Sequence, residues 1–197
     1  MITENKELMA QARAALSGKW TVAVCATLIY MLLVFLICMA SIVGIVVMLL
    51  IAGSFVLGFA MLFLALSRGE HVRIDLMFKG FSCFGAALAA YLLVLLFTFL
   101  WTLLLIVPGI IAFISYSQTF YILADNPGID PMDAISKSKK MMQGYKWKYF
   151  CLHLRFIGWS LLCILTLGIG HLWLMPYMQT TFAKFYDDLK ANQDEYI

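Results

Sequence analysis

Charge is what this chain has least of. Of its 197 residues only 13% are Asp, Glu, Lys or Arg, against 63% hydrophobic, and the mean hydropathy is +0.92. That sparing use of charge takes the chain outside the range of soluble globular proteins. Fourteen Lys and Arg against eleven Asp and Glu leave a formal net charge of +3, too little for a protein that tracks nucleic-acid phosphates. Proline is scarce at four, while Phe, Tyr and Trp number fifteen, nine and five, a balance that excludes disorder. The opening Met1-Ile2-Thr3-Glu4-Asn5-Lys6-Glu7 lacks the short apolar stretch and small-residue cleavage site of a signal peptide. The first apolar segment is too long for such a stretch and is expected to stay as an anchor.

What is present is long uncharged runs. Lys19 and Arg68 enclose 48 residues without Asp, Glu, Lys or Arg, Lys79 and Asp125 enclose 45, and Arg155 and Lys184 enclose 28. A helix crosses the hydrocarbon core in about 20 residues, so the first two runs hold two spans each. The third makes two shorter ones by borrowing Trp147 to Leu154. The expected fold is all-α, a polytopic membrane protein with six transmembrane helices as three hairpins. We place the spans near Trp20–Val43, Val46–Leu66, Phe81–Leu104, Ile110–Leu123, Trp147–Leu165 and Leu172–Phe185. Pro108-Gly109 breaks the second run and Leu167-Gly168-Ile169-Gly170 the third, both tight-turn chemistry. Gly44 and Gly53 bracket the first turn.

Orientation follows from the cations. Lys6, Arg13 and Lys19 precede the first span, and Arg68, Arg73 and Lys79 lie between the second and third. Lys137, Lys139, Lys140, Lys146 and Lys148 lie before or at the start of the fifth, Arg155 early in it, and Lys184 and Lys190 at the end of the sixth or beyond. All fall on one side, which the positive-inside rule makes cytoplasmic, with both termini there. Trp20 and Trp147 then mark inner boundaries, Trp101 and Trp173 outer ones. The five cysteines, at 25, 38, 83, 151 and 163, fall within spans without a Cys-x-x-Cys and read as small packing residues.

The single membrane domain, residues 1–197, also divides into three similar units, 1–67, 68–130 and 131–197. Leu16-Ser17-Gly18-Lys19-Trp20, Phe78-Lys79-Gly80-Phe81 and Met142-Gln143-Gly144-Tyr145-Lys146-Trp147 each precede a hairpin. Each unit reads as a cytoplasmic-side amphipathic helix, a glycine, an aromatic and a hairpin. In the third, Asp130 is a natural N-cap, Pro131 suits the first helical position and Gly144 the stop. Met132, Ile135, Met142 and Tyr145 recur at helical spacing. In the first unit Leu8, Met9, Ala12, Ala15 and Leu16 form the stripe; in the second, Ile74 to Lys79 offers barely two turns. Such helices lie in the headgroup plane with Lys137, Lys139, Lys140 and Trp147 toward anionic lipid, or else are ordinary helical loops.

Several of these stretches resemble a known family. Ala124-Asp125-Asn126-Pro127-Gly128, Ala134-Ile135-x-x-Ser138, Gly144-x-x-Trp147, Phe156-Ile157-Gly158-Trp159, Leu165 to Gly170, Pro176 to Thr180 and Leu16-x-Gly18-x-Trp20 resemble the bacterial integral membrane family known as domain of unknown function 975. Ser138…Gly144…Trp147 is more distantly similar to the membrane domain of some bacterial glycerophosphodiester phosphodiesterases. The resemblance implies a multi-pass protein of the bacterial inner (plasma) membrane and supplies no reaction, ligand or catalytic residue. His153 and Arg155 are more polar than it implies.

Intramembrane polar residues are where binding is sought, being costly in lipid. His153 and Arg155 lie in the fifth span, Gln118 in the fourth and Gln179 in the sixth, with Asp125 at the foot of the fourth. If these spans pack together, a cytoplasm-facing cavity binds an anion through Arg155. Alternatively Arg155 snorkels and pairs with Asp125 while the glutamines bridge helices. His153 and Arg155, two residues apart, point in different directions on a helix. No metal or cofactor site is expected: Cys151 and His153 have no second pair, and no phosphate loop, nucleophile elbow or zinc-protease motif occurs. The leading expectation is a non-enzymatic scaffold or partner subunit, the alternative a small transporter or lipid- or anion-binding protein. Partners are membrane lipids, anionic ones foremost, and a membrane or cytoplasmic protein, with no nucleic acid.

Overall fold

A computed structural model describes residues 3–38, 41–164, 166 and 168–194, with the side chains of 36–38, 41–43, 45–46 and 193–194 left aside. The expected first turn therefore falls partly outside the described residues, at Met39 and Ala40. So do Met1, Ile2 and, from the family-like motifs, Leu165 and Leu167. Every regular element among the described residues is helical: α1 (Asn5–Leu16), α2 (Trp20–Cys38), α3 (Ser41–Ser67), a 3-10 segment (Ile74–Cys83), α4 (Phe84–Leu104), α5 (Ile106–Tyr116), α6 (Thr119–Asp125), α7 (Pro131–Met141), α8 (Lys146–Ile164) and α9 (His171–Asp194).

Three stretches are long and apolar enough to cross a membrane: Val47–Ser67, Ile74–Leu104 and Ile106–Asp125. Among the described residues, α1 and α2 up to Phe35 pass the same test only when taken together across a 96° bend. Helix α8 carries Lys146, Lys148 and Arg155, and α9 carries Lys184, Asp187, Asp188 and Lys190.

Several boundaries differ from expectation. Gly44 and Gly53 lie inside α3 and do not bracket a turn. Gly53 serves close approach: an added Cβ would sit 2.5 Å from the Ala87 carbonyl oxygen of α4. The second hairpin turns at Leu105 (φ −162°, ψ 147°), ahead of Pro108-Gly109. Pro108 falls in the first turn of α5, where a missing N–H costs nothing. The expected single span Ile110–Leu123 breaks into α5 and α6 at Ser117–Gln118.

The 3-10 segment lies hard against α3. An added Cβ at Gly58 would fall 2.7 Å from the Met77 carbonyl carbon, and one at Gly80 would fall 2.7 Å from the Gly58 nitrogen and 3.0 Å from the Ser54 carbonyl carbon. Glycine at these positions is what lets backbone meet backbone. Gly18 and Gly144, by contrast, take left-handed φ values of 77° and 80° and end the turns after α1 and α7.

The amphipathic stripes face protein. α1 buries Leu8, Ala12 and Leu16 as it packs along α9, where the Tyr177 hydroxyl donates to the Met9 carbonyl (3.2 Å) and Arg13 lies 5.6 Å from the Tyr177 ring centroid. Asp130 caps α7 by accepting from the Met132 N–H (2.8 Å), with Pro131 in the first turn. The buried side of α7 is Ala134, Ile135, Ser138 and Met141, whereas Met132 is exposed. Of the expected stripe Ile135 and Met142 are buried and Met132 is not, because the buried face is chosen by α4, α5 and α6, which α7 contacts. The four described cysteines, Cys25, Cys83, Cys151 and Cys163, are exposed or half-buried free thiols, where burial was expected. Cys83 and Cys163 pack against the core from its edge, while Cys25 is exposed; Cys38's side chain is outside the described set.

Candidate functional site

The inward faces of α2 to α6, α8 and α9 do not fill the space between them. They enclose a cavity of about 730 Å³, within the range of small-molecule sites. Aromatic rings dominate the wall, among them Tyr30, Phe59, Tyr121, Tyr149 and Phe182. Its polar groups are phenols, threonine and serine hydroxyls, Gln179 and His153. The deep wall is buried: Ala60, Tyr121, Tyr149 and Phe182 all have exposures of 6% or less. His153 stacks on Phe182 (centroids 4.5 Å apart, 16° between planes), and Tyr149 lies 5.2 Å from Phe182. Flat rings side by side leave slots that aliphatic packing would close. The buried Thr98 hydroxyl, on this wall, has no hydrogen-bond partner among the described residues.

One end of the cavity is closed by charge. Tyr121 stacks on Tyr186 (5.6 Å, 21°), whose hydroxyl donates to Asp125 Oδ2 (3.0 Å). Arg68 donates to both oxygens of Asp125 (2.7 and 3.0 Å) and, through Nη2, to Asp187 Oδ1 (2.7 Å). Lys190 completes the cluster on Asp125 (2.7 Å), and Ser67 donates to Asp187 (3.1 Å). Two cations and two carboxylates thus tie the ends of α3, α6 and α9, with no net charge. Hydrogen bonding to Asp125 raises the Arg68 guanidinium above its ordinary value, as a bidentate charge-assisted pair does.

Both ends of the described chain meet beside this cluster. The Thr3 N–H and hydroxyl donate to Asp188 (3.0 and 2.7 Å), and Lys148, 3.6 Å from Asp188, donates to the Thr3 carbonyl. Lys19 donates to the Glu70 carbonyl (2.6 Å).

The five binding residues expected from sequence separate into four places. His153 and Gln179 line the cavity, with Gln179 accepting a long contact from the Tyr121 hydroxyl (3.4 Å). Gln118 is fully buried behind the wall, its amide donating to the Ser117 hydroxyl (2.9 Å). Asp125 belongs to the ionic cluster, and Arg155 is exposed on another face of α8. The expected Arg155–Asp125 pair is not formed, since Asp125 is taken by Arg68 and Lys190, and Arg155 is not among the residues that line the cavity. The expected lipid-facing residues Lys137, Lys139, Lys140 and Trp147 are all exposed. Trp20 and Trp173, expected at opposite boundaries, line one small pocket of about 260 Å³ with Arg13, Trp159 and Gly170. The tip of the α8–α9 hairpin therefore reaches only as far as the α1–α2 bend.

Sequence reading missed Ser138 as a structural bond. Its hydroxyl donates to the Ser115 carbonyl (2.8 Å) and accepts from the Gln118 N–H (3.2 Å), satisfying both backbone groups orphaned by the α5–α6 break. Its place in Ala134-Ile135-x-x-Ser138 was the available signal. Among the described residues no trio of His, Cys, Asp or Glu is arranged to hold a metal ion.

These features define an all-helical chain, with several helices apolar enough to cross a bilayer, built round an aromatic cavity closed at one end by ion pairs. The chain belongs to the family described as "Protein of unknown function (DUF975)", whose model matches residues 1–116 and 103–193. No curated protein and no solved structure gives a significant match, which leaves the likeness to the phosphodiesterase membrane domain resting on the Ser138…Gly144…Trp147 pattern alone.

Proposed function

We propose that this is a non-enzymatic multi-pass protein of the bacterial inner membrane that holds a small apolar or amphiphilic molecule in its aromatic cavity. The observation that carries the reading is the cavity itself, about 730 Å³ and walled by rings, with no carboxylate, ammonium or guanidinium in its lining. An occupant that covers those rings removes apolar surface from contact with water.

The six apolar segments form three hairpins inserted from the cytoplasmic side. Two observations support this: Thr3 meets Asp188, and Arg68, Asp125, Asp187 and Lys190 gather at one end. The first two hairpins cross; the third is shallower, its tip at Gly170 level with Arg13 and Trp20. Full crossing would carry Arg155 toward the bilayer centre at about 3 kcal/mol. The exposed Lys137, Lys139 and Lys140 then face anionic headgroups.

Native mass spectrometry of gently extracted protein tests the ligand. Wild-type protein should retain a small molecule that Ala60→Phe, which fills the cavity, does not. A ligand-free wild-type mass would sink the cavity reading and turn the search to co-purifying partners, in favour of the scaffold or partner subunit.

A further inference from the structure

We infer that the occupant is the hydrocarbon chain of a bilayer lipid, entering sideways past the α4–α5 hairpin and not from the cytoplasm. This rests on the membrane reading above and adds to it the ligand class and the route.

The first observation is where the wall is open. Leu95, Phe99, Thr102 and Phe113 are the exposed lining residues, and all four lie on α4 or α5. Phe99 is 59% and Phe113 54% exposed, whereas the walls from α3, α6, α8 and α9 include the buried Ala60, Tyr121, Tyr149 and Phe182. Away from that open side, Tyr121 backs onto Tyr186, which joins the ion pairs on Asp125. Nothing charged stands at the mouth to recognise a solute.

The second observation is what surrounds that mouth. Beside it the hairpin tip, Leu103 to Val107, exposes five consecutive large apolar residues at 65–73%. From Asp125 back to Ile106 the helical rise is at most about 28 Å, and the hydrocarbon core is about 30 Å thick. With Asp125 at the inner edge, the tip ends at the outer edge of the core. At the tip the Leu105 N–H donates to the Trp101 carbonyl (3.1 Å), its carbonyl accepts from the Gly109 N–H (3.2 Å), and Pro108 has no N–H to satisfy, so these backbone groups need no water. Mouth and tip therefore face acyl chains, which are present at far higher local concentration than any dissolved solute.

The experiment is photo-cross-linking in phosphatidylcholine vesicles containing a phospholipid with a diazirine near the end of one acyl chain. Full-length protein is reconstituted, illuminated and mapped by peptide mass spectrometry. Adducts are expected on the deep wall, at Tyr121, Tyr149 or Phe182, as well as on Leu103 to Val107. Ala60→Phe should lose the interior adducts and keep those at the tip, which also reports that the variant is folded. Wild-type adducts confined to the tip and outer faces would overturn the inference. If native mass spectrometry still shows a retained molecule in that case, the cavity binds something other than a lipid chain; if it shows none, the proposed function falls as well. Independently, Leu105→Cys should gain no label over wild type from an impermeant maleimide added outside. Labelling there would place the tip in water and overturn the lateral route.

Discussion

On one flank of α3, Gly53, Ser54 and Gly58 meet the 3-10 segment and α4 backbone to backbone; on another, Phe55, Phe59 and Ala60 face a cavity of about 730 Å³. The same helix is packed without slack on one side and held open on the other. Small residues permit an approach that no side chain interrupts, whereas aromatic rings braced edge to face keep their neighbours apart, as in Tyr30 against Phe55 and Phe55 against Phe81. A rigid seam behind an open pocket fixes the pocket's shape, because the wall on that side cannot shift inward.

That contrast can be broken most severely from the seam. Gly58→Val places a side chain into the Met77 carbonyl, which cannot move aside, and should cost about 3 kcal/mol or more. Thermal unfolding in detergent should show a collapse of stability, while Gly85→Ala, with open space around it, should be neutral or slightly stabilising. A tolerated Gly58→Val would mean that seam and cavity are equally plastic.

Arg68→Gln comes next. It strips Asp125 and Asp187 of their shared cation and should destabilise by about 1–3 kcal/mol, less than a fully buried pair because Arg68 is partly exposed. Lys190→Gln should cost less, and 1 M salt should narrow the gap between both variants and wild type. Ser138→Ala leaves the Gln118 N–H and the Ser115 carbonyl without their bond and should cost about 1–2 kcal/mol, with faster amide exchange confined to residues near the α5–α6 break. Uniform acceleration would deny Ser138 its local role.

On the open flank, Ala60→Phe should alter stability by under about 1 kcal/mol, since it fills space instead of displacing backbone. A loss as large as that of Gly58→Val would show the cavity to be as tightly packed as the seam. The smallest effect on folding belongs to Lys137, Lys139 and Lys140 changed together to Gln, which touch nothing buried. Their loss should leave the melting temperature unchanged and weaken association with anionic vesicles by about 1 kcal/mol per lysine.

How much of this was legible varies with the physics that sets each feature. The start of α2 at Trp20 and the Asp130-Pro131 cap of α7 were readable because they are local chemistry. The 10-residue 3-10 segment was not: Ile74 to Cys83 takes that form by lying against Gly58, a contact no periodicity records. The ion pair at Asp125 had a signal that was passed over. Arg68 ends the first uncharged run and Asp125 the second, so both had to stand at one face, within reach of each other. Arg155 drew attention as an intramembrane charge, yet its direction on α8 could not be fixed until Tyr149, Leu152 and Phe156 were seen to face inward. The cavity was legible only as an excess of aromatics, since an unfilled volume depends on how rings from seven helices fail to meet.

The bond between Thr3 and Asp188 spans 185 positions of chain, and that between Tyr177 and Met9 spans 168. During synthesis α1 emerges well before α9, the element it contacts most, so of its two main partners only α3 is at hand early. Docking of α1 onto α9 is therefore a late step, one that ties distant parts of the chain together after the helices between them are made.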